Sequence, residues 1–121
     1  MLYAILFVLG GGLYVTLELF WRSRSHISMF IAGGVSLVLL YGVFSYFEAL
    51  PALLLCLIGA LVISAVEFIT GAIVNLQMHL RVWDYSHLPC NLYGQVCLRY
   101  SALWALLCAP LTLLPGLIAA L

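Results

Sequence analysis

Three groups of polar residues stand out in a chain that otherwise reads as hydrocarbon. The first is Glu67, which shares a stripe with Ala60, Ser64, Gly71 and Asn75 at helical steps of three or four. A carboxylate on a small, polar helix face can bind a substrate, an ion or a proton, because an ionised group in an apolar medium must be paired, protonated or wetted. The second is Glu18, four residues before Arg22 and on one stripe with Gly11 and Tyr14. That spacing suits an ion pair on a single helix. The third is the stretch from Arg81 to Gln95, the densest polar cluster of the chain.

Within that stretch, Asp84 and Ser86 can hydrogen-bond the amides that follow them and organise a turn. Trp83, Tyr85 and Tyr93 are residue types that settle at a headgroup boundary. Pro89 stops any helix arriving from upstream, and Asn91 can cap the helix that follows. A helix starting at Asn91 carries Arg99 about two turns inside it, at the depth of Glu67, where it would serve as the counter-ion. The candidate substrate- or ion-binding residues are therefore Glu67, Glu18, Asn75, Asp84, Asn91 and Arg99. Each also has a plain structural reading: a packing seam with one polar anchor for Glu67 and Asn75, an interfacial ion pair for Glu18, and a cap over the end of a bundle for residues 83–94.

Other chemistries fit less well. His79, Asp84, His87, Cys90 and Cys97 crowd one loop, and His87 and Cys90 could chelate. No second tight pair accompanies them, so zinc-type spacing is absent and no metal is expected. There is no glycine-rich phosphate loop with a lysine and no nucleophilic serine motif. No catalytic set and no cofactor are expected, and no disulfide framework is implied by the four cysteines.

The elements that must position these groups follow from composition. Apolar residues make up 67% of the 121 and charged residues only 7%, a surface that water would not tolerate. Net charge is zero, so nothing points to nucleic acid. Apolar runs cover residues 2–20, 27–47, 51–75 and 92–120, each near the roughly 20 residues a helix needs to cross a bilayer. Only helices satisfy the backbone there. The expectation is an all-α, polytopic bundle of four transmembrane helices, one domain over 1–121, with a re-entrant or interfacial segment at 76–97. That segment is long for a passive linker. The N-terminal run lacks a basic flank and a cleavage site and carries Glu18, so it reads as a retained helix.

The chain has no lysine and four arginines, Arg22, Arg24, Arg81 and Arg99. All lie toward the same side of the spans, and the loop at Glu48 and Pro51 has no positive charge. The positive-inside rule then puts both basic loops in the cytoplasm and both termini outside. Glu67, 16 residues beyond Pro51, lies about 24 Å along its helix at roughly 1.5 Å per residue, in the cytoplasmic half of the membrane. A charge there costs on the order of 2.5–3.5 kcal/mol. Sliding the first span by 49 residues sets Gly10 on Gly59 and Glu18 on Glu67, the mark of two related helical hairpins.

The run Glu67-Phe68-Ile69-Thr70-Gly71, then Asn75, Trp83-Asp84-Tyr85-Ser86, Pro89, Asn91, Gly94, Cys97-Leu98 and Trp104 resembles the small bacterial membrane proteins of the ABC-transporter type IV, or CmpB-like, permease family. The resemblance covers about 40 residues of the second half, and Glu18 and the first span fit more loosely. It implies a multi-span inner-membrane protein acting as a permease component, and it carries over no catalytic residue. Four spans without an ATP-binding motif imply an ATPase partner and oligomerisation or another membrane subunit, with membrane lipid around them. Two other functions stay open. One is a structural, lipid- or ligand-binding membrane protein. The other is a small intramembrane enzyme acting on a lipid, with Glu67, Asp84 and His87 as acid–base groups; enzymatic activity is the less favoured.

Overall fold

The computed structural model describes residues 1–23 and 25–121. Arg24, one of the basic residues of the first loop, lies outside them. Four helices are long and apolar enough to cross a membrane: Leu2–Arg22, Ile27–Tyr46, Ala52–Gln77 and Leu98–Ala119. The fold is all-α, as expected from the sequence.

Helix α1 (Leu2–Arg22) ends where Ser23 turns left-handed and its N–H caps the Leu19 carbonyl at 3.0 Å. Helix α2 (Ile27–Tyr46) begins at His26, whose ring nitrogen accepts the Ser28 N–H at 3.1 Å, and ends at Phe47. Pro51 then starts α3 (Ala52–Gly71). Instead of ending, α3 widens into a π-helical turn, Ala72–Gln77, with Met78 N–H bonding Ile73 C=O five residues back. The chain leaves the helix at Met78, ahead of Pro89. Left-handed His79 and Arg81 rather than the proline mark the change of direction.

A short antiparallel hairpin follows, β1 (Asn91–Leu92) and β2 (Val96–Cys97), in the register Asn91 to Cys97. Left-handed Tyr93 and Gly94 make its turn. Helix α4 (Leu98–Leu111) starts only after the hairpin, capped at Cys97. The fourth span, whose start the sequence leaves between Asn91 and Leu98, begins at the late end of that stretch, because residues 91–97 are used in pairing and turning. Past Pro110 the helix breaks at Thr112 and Leu113 and resumes as α5 (Leu114–Ala119), with Pro115 in its first turn.

The helices pack mainly as two hairpins, α1 with α2 and α3 with α4. Glycines set both contacts. A Cβ on Gly10 would lie 2.5 Å from the Gly33 carbonyl, and one on Gly33 2.5 Å from Tyr14 Cβ. On the second hairpin, a Cβ on Gly59 would lie 2.6 Å from Cys108 Sγ. Small residues at both crossings let backbones approach where lipid gives no hydrophobic drive to associate. Ser64 and Ser101 add a 2.7 Å hydroxyl bond between α3 and α4.

Two apolar cores fill the bundle. Leu40, Phe44, Leu55, Ile63 and Cys108 form one toward the α2–α3 turn. Met29, Val74, Val82, Trp83, Tyr85 and Cys97 form the other at the Arg22 end. Trp83 and Tyr85 are thus buried plugs of the bundle, while Tyr93 is exposed as a boundary residue would be. Half of the apolar window of α2 is buried but only 6% of that of α4, which leaves α4 facing outward.

Candidate functional site

Glu67 is 2% exposed, deep between α1, α3, α4 and the segment that precedes α4. Its Oε2 accepts the Tyr14 hydroxyl at 3.2 Å and the Tyr85 hydroxyl at 3.3 Å. Its Oε1 has no hydrogen bond. Trp104 stands against the same carboxylate, its indole N–H a third and looser donor toward Glu67. Tyr14 and Trp104 contact each other as well, with ring centroids 5.5 Å apart. Two phenols therefore fix one carboxylate oxygen, and the indole of Trp104 faces the carboxylate beside them.

Tyr85 reaches Glu67 because the whole 78–97 segment folds back on the bundle. Its ring stacks on Tyr100 at 4.8 Å and 12°, and its N–H bonds the Gly94 carbonyl at 2.8 Å. Burial, reinforced by the neighbouring Glu67 charge, pushes the Tyr85 phenol far above its ordinary value, so it stays a donor.

Asn75 does not line this cluster. The π turn aims it at the segment instead, where Oδ1 takes the Val82 N–H at 2.6 Å and Nδ2 gives to Gln95 Oε1 at 2.8 Å. Gln95 closes the web: its carbonyl takes the Trp83 indole N–H at 2.9 Å and its amide gives to Tyr93 C=O at 2.7 Å. Gly71 lets Gln95 and Trp83 pack on α3, since a Cβ there would collide with Gln95 Oε1. Every polar atom of this buried web named here finds a partner, as a rigid plug requires.

The other candidates fall into place around it. Glu18 pairs with Arg22 at 2.7 Å, and Arg22 also gives to the Val82 carbonyl at 2.9 Å, so α1 is tied to the plug. Asp84 is exposed and accepts the Ser86 N–H at 2.9 Å, the expected turn. That backbone bond holds its carboxyl below the usual value. Asn91 does not cap α4; its side chain gives to Leu88 C=O at 2.8 Å and takes the Gly94 N–H at 3.0 Å, shaping the loop. Arg99 is exposed in the first turn of α4. Among the described residues the one ion pair is Glu18 with Arg22, so the expected Glu67–Arg99 pair does not form. The late start of α4 leaves Arg99 at the helix end. His87 is likewise exposed, and no hydrogen bond joins it or Asp84 to Glu67.

Sequence reasoning did not find Gln95, or the role of Tyr14 as a ligand of Glu67. Tyr14 carried a signal, since it sits one turn from Glu18 on the stripe that faces the bundle. Gln95 carried none beyond its place in a polar run.

A cavity of about 190 Å³ opens beside the cluster. Tyr14, Trp104, Ser36, Gly33, Leu40 and Ile63 are among its walls, which are almost wholly apolar. Glu67 lies behind Tyr14 and Trp104 and is not a wall. The Ser36 hydroxyl is buried without a partner.

Comparison with known proteins gives one family. The family model described as "Putative ABC-transporter type IV" matches residues 4–115, so the chain belongs to that family. No curated protein and no solved structure matches.

Proposed function

We propose that this family member is the membrane-embedded permease component of an ABC-type machine, with Glu67 as the polar end of its substrate path. Family membership supports the transport class. The observation that carries the residue assignment is the buried carboxylate itself: Glu67 is 2% exposed, takes two phenol donors on Oε2, and forms no ion pair among the described residues. Such a carboxylate can take the cationic or hydrogen-donating group of a ligand.

The neighbouring cavity defines the rest of that ligand. Its apolar walls suit a small apolar body, and Tyr14 and Trp104 separate that body from the carboxylate. Turning Trp104 aside joins the two spaces, which makes the indole the gate. Asn75, Asp84 and Asn91 hold the plug that closes the Arg22 end, and Glu18 ties α1 to it through Arg22. Arg22 and Arg81 line one pocket at that end, which supports a reading by the positive-inside rule with that end in the cytoplasm of an inner membrane and both termini outside. The sequence has no nucleotide-binding motif, so the machine draws on an ATPase subunit and a second membrane subunit or copy.

The test is ATP turnover by the machine reconstituted in its own lipids. Glu67→Gln is expected to keep the assembly but lower its ATP turnover by about tenfold or more. Turnover equal to wild type would remove Glu67 from the path.

A further inference from the structure

A second pocket, of about 260 Å³, opens at the Arg22 end of the bundle and takes no part in the Glu67 cluster. Its walls are Arg22, Ser25, His26, Leu80, Arg81 and Val82. We infer that this pocket binds a phosphate group. Its polar side chains are two guanidiniums, an imidazole and a hydroxyl, and guanidinium forks match the oxygens of phosphate.

The site is built before any ligand arrives. Arg22 is clamped by Glu18 at 2.7 Å and by the Val82 carbonyl at 2.9 Å, which fixes the plane of its guanidinium. His26 Nδ1 accepts the Ser28 N–H at 3.1 Å, so its proton sits on Nε2 and that edge of the ring is a donor. Arg81 is held at φ 52°, two residues after His79 at φ 57°, backbone that residues other than glycine rarely adopt. Val82 is anchored on both sides, its N–H by Asn75 and its C=O by Arg22, so the loop bearing Arg81 is pinned beside α1.

The acidic groups near these arginines stay outside the pocket. Glu18 meets Arg22 from the α1 side, and Asp84 acts on Arg81 from the loop, but neither is a wall. Phe20, Trp21 and Ile27 flank the site and are exposed, and Leu80 gives it an apolar edge. A tryptophan next to arginine marks headgroup depth, and basic pockets between helices on the cytoplasmic side take anionic headgroups. The phosphate can come from a lipid headgroup or from free phosphate in water, and the pocket chemistry is the same for both.

The experiment measures the melting temperature of the full chain and its bound mass by native mass spectrometry. One arm uses nanodiscs of phosphatidylcholine with and without phosphatidic acid; the other uses inorganic phosphate added to lipid-free protein in neutral detergent. Stabilisation by phosphatidic acid assigns the lipid, and stabilisation by phosphate without lipid assigns the free ion. In either case Arg81→Gln is expected to weaken binding by about tenfold, while Arg99→Gln, which removes the same charge elsewhere, leaves it unchanged. Ser25→Glu, which puts a carboxylate into the pocket, is expected to abolish binding and carries the test if Arg81→Gln does not fold. No stabilisation of wild type in either arm, or equal stabilisation of wild type and Ser25→Glu, would overturn the inference.

Discussion

Glu67 shows how a single residue can be legible while its partners are not. A glutamate on a stripe of small residues inside an apolar run is visible in any reading, because hydrocarbon makes charge costly. Its ligands come from α1 and from the segment after α3, and that depends on how helices cross. Tyr14 is legible as a residue of the inward stripe but not as a donor to Glu67, Tyr85 is not legible as one either, and Arg99 lies at the helix end because α4 starts at Leu98. Replacing Glu67 by Gln preserves an acceptor for both phenols and removes a buried charge. The melting temperature of Glu67→Gln is expected to equal or exceed that of wild type even as activity is lost. Tyr85→Phe, which deletes one donor and keeps the ring stacked on Tyr100, is expected to cost about 1 kcal/mol in a thermal or denaturant melt.

At Asp84 the prediction concerns pH. Its carboxyl sits below the ordinary value of 3.8 because it accepts the Ser86 N–H. A lowered folded-state pKa means the turn is stabilised above about pH 4 and loses that support as pH falls through the lowered value. Amide exchange at Ser86, corrected for intrinsic rate, is expected to speed up on acidification, and Asp84→Ala is expected to abolish that pH dependence.

Among the elements, the spans were legible and the plug was not. Length and hydropathy suffice for helices in lipid, since each satisfies its own backbone. The 78–97 segment instead depends on side chains that meet across space: Asn75 on Val82 and Gln95, and Gln95 on Trp83. The π turn that aims Asn75 has no sequence signature, and a two-residue hairpin is too short to show a period. Gln95→Ala strips a buried acceptor from Asn75 and is expected to cost about 1–3 kcal/mol. Exchange should rise across residues 78–97 while the spans remain protected.

The helix hairpins invite a different comparison. Gly10 and Gly59, paired in sequence by the 49-residue shift, both sit at crossings, one on Gly33 and the other on Cys108. Gly33→Ala sets a methyl against backbone and Tyr14 and is expected to destabilise by about 1–3 kcal/mol. Gly42→Ala meets nothing within 4 Å and is expected to stabilise α2 by about 0.5–1 kcal/mol. Equal melting temperatures for the two variants would mean that the close crossing does not hold α1 to α2.

For the whole molecule, the account rests on incompleteness. The four described helices expose long rows of leucine, and only 6% of the apolar window of Leu98–Ala119 is buried, a surface that the proposed function gives to lipid or another subunit. The chain belongs to a family described as "Putative ABC-transporter type IV", yet its sequence carries no ATP-binding motif. The most direct test is native mass spectrometry of the chain extracted gently from its own membrane. The account predicts a complex with a fixed ratio of this chain to an ATPase subunit. A chain that leaves the membrane alone, or only with copies of itself, would contradict it.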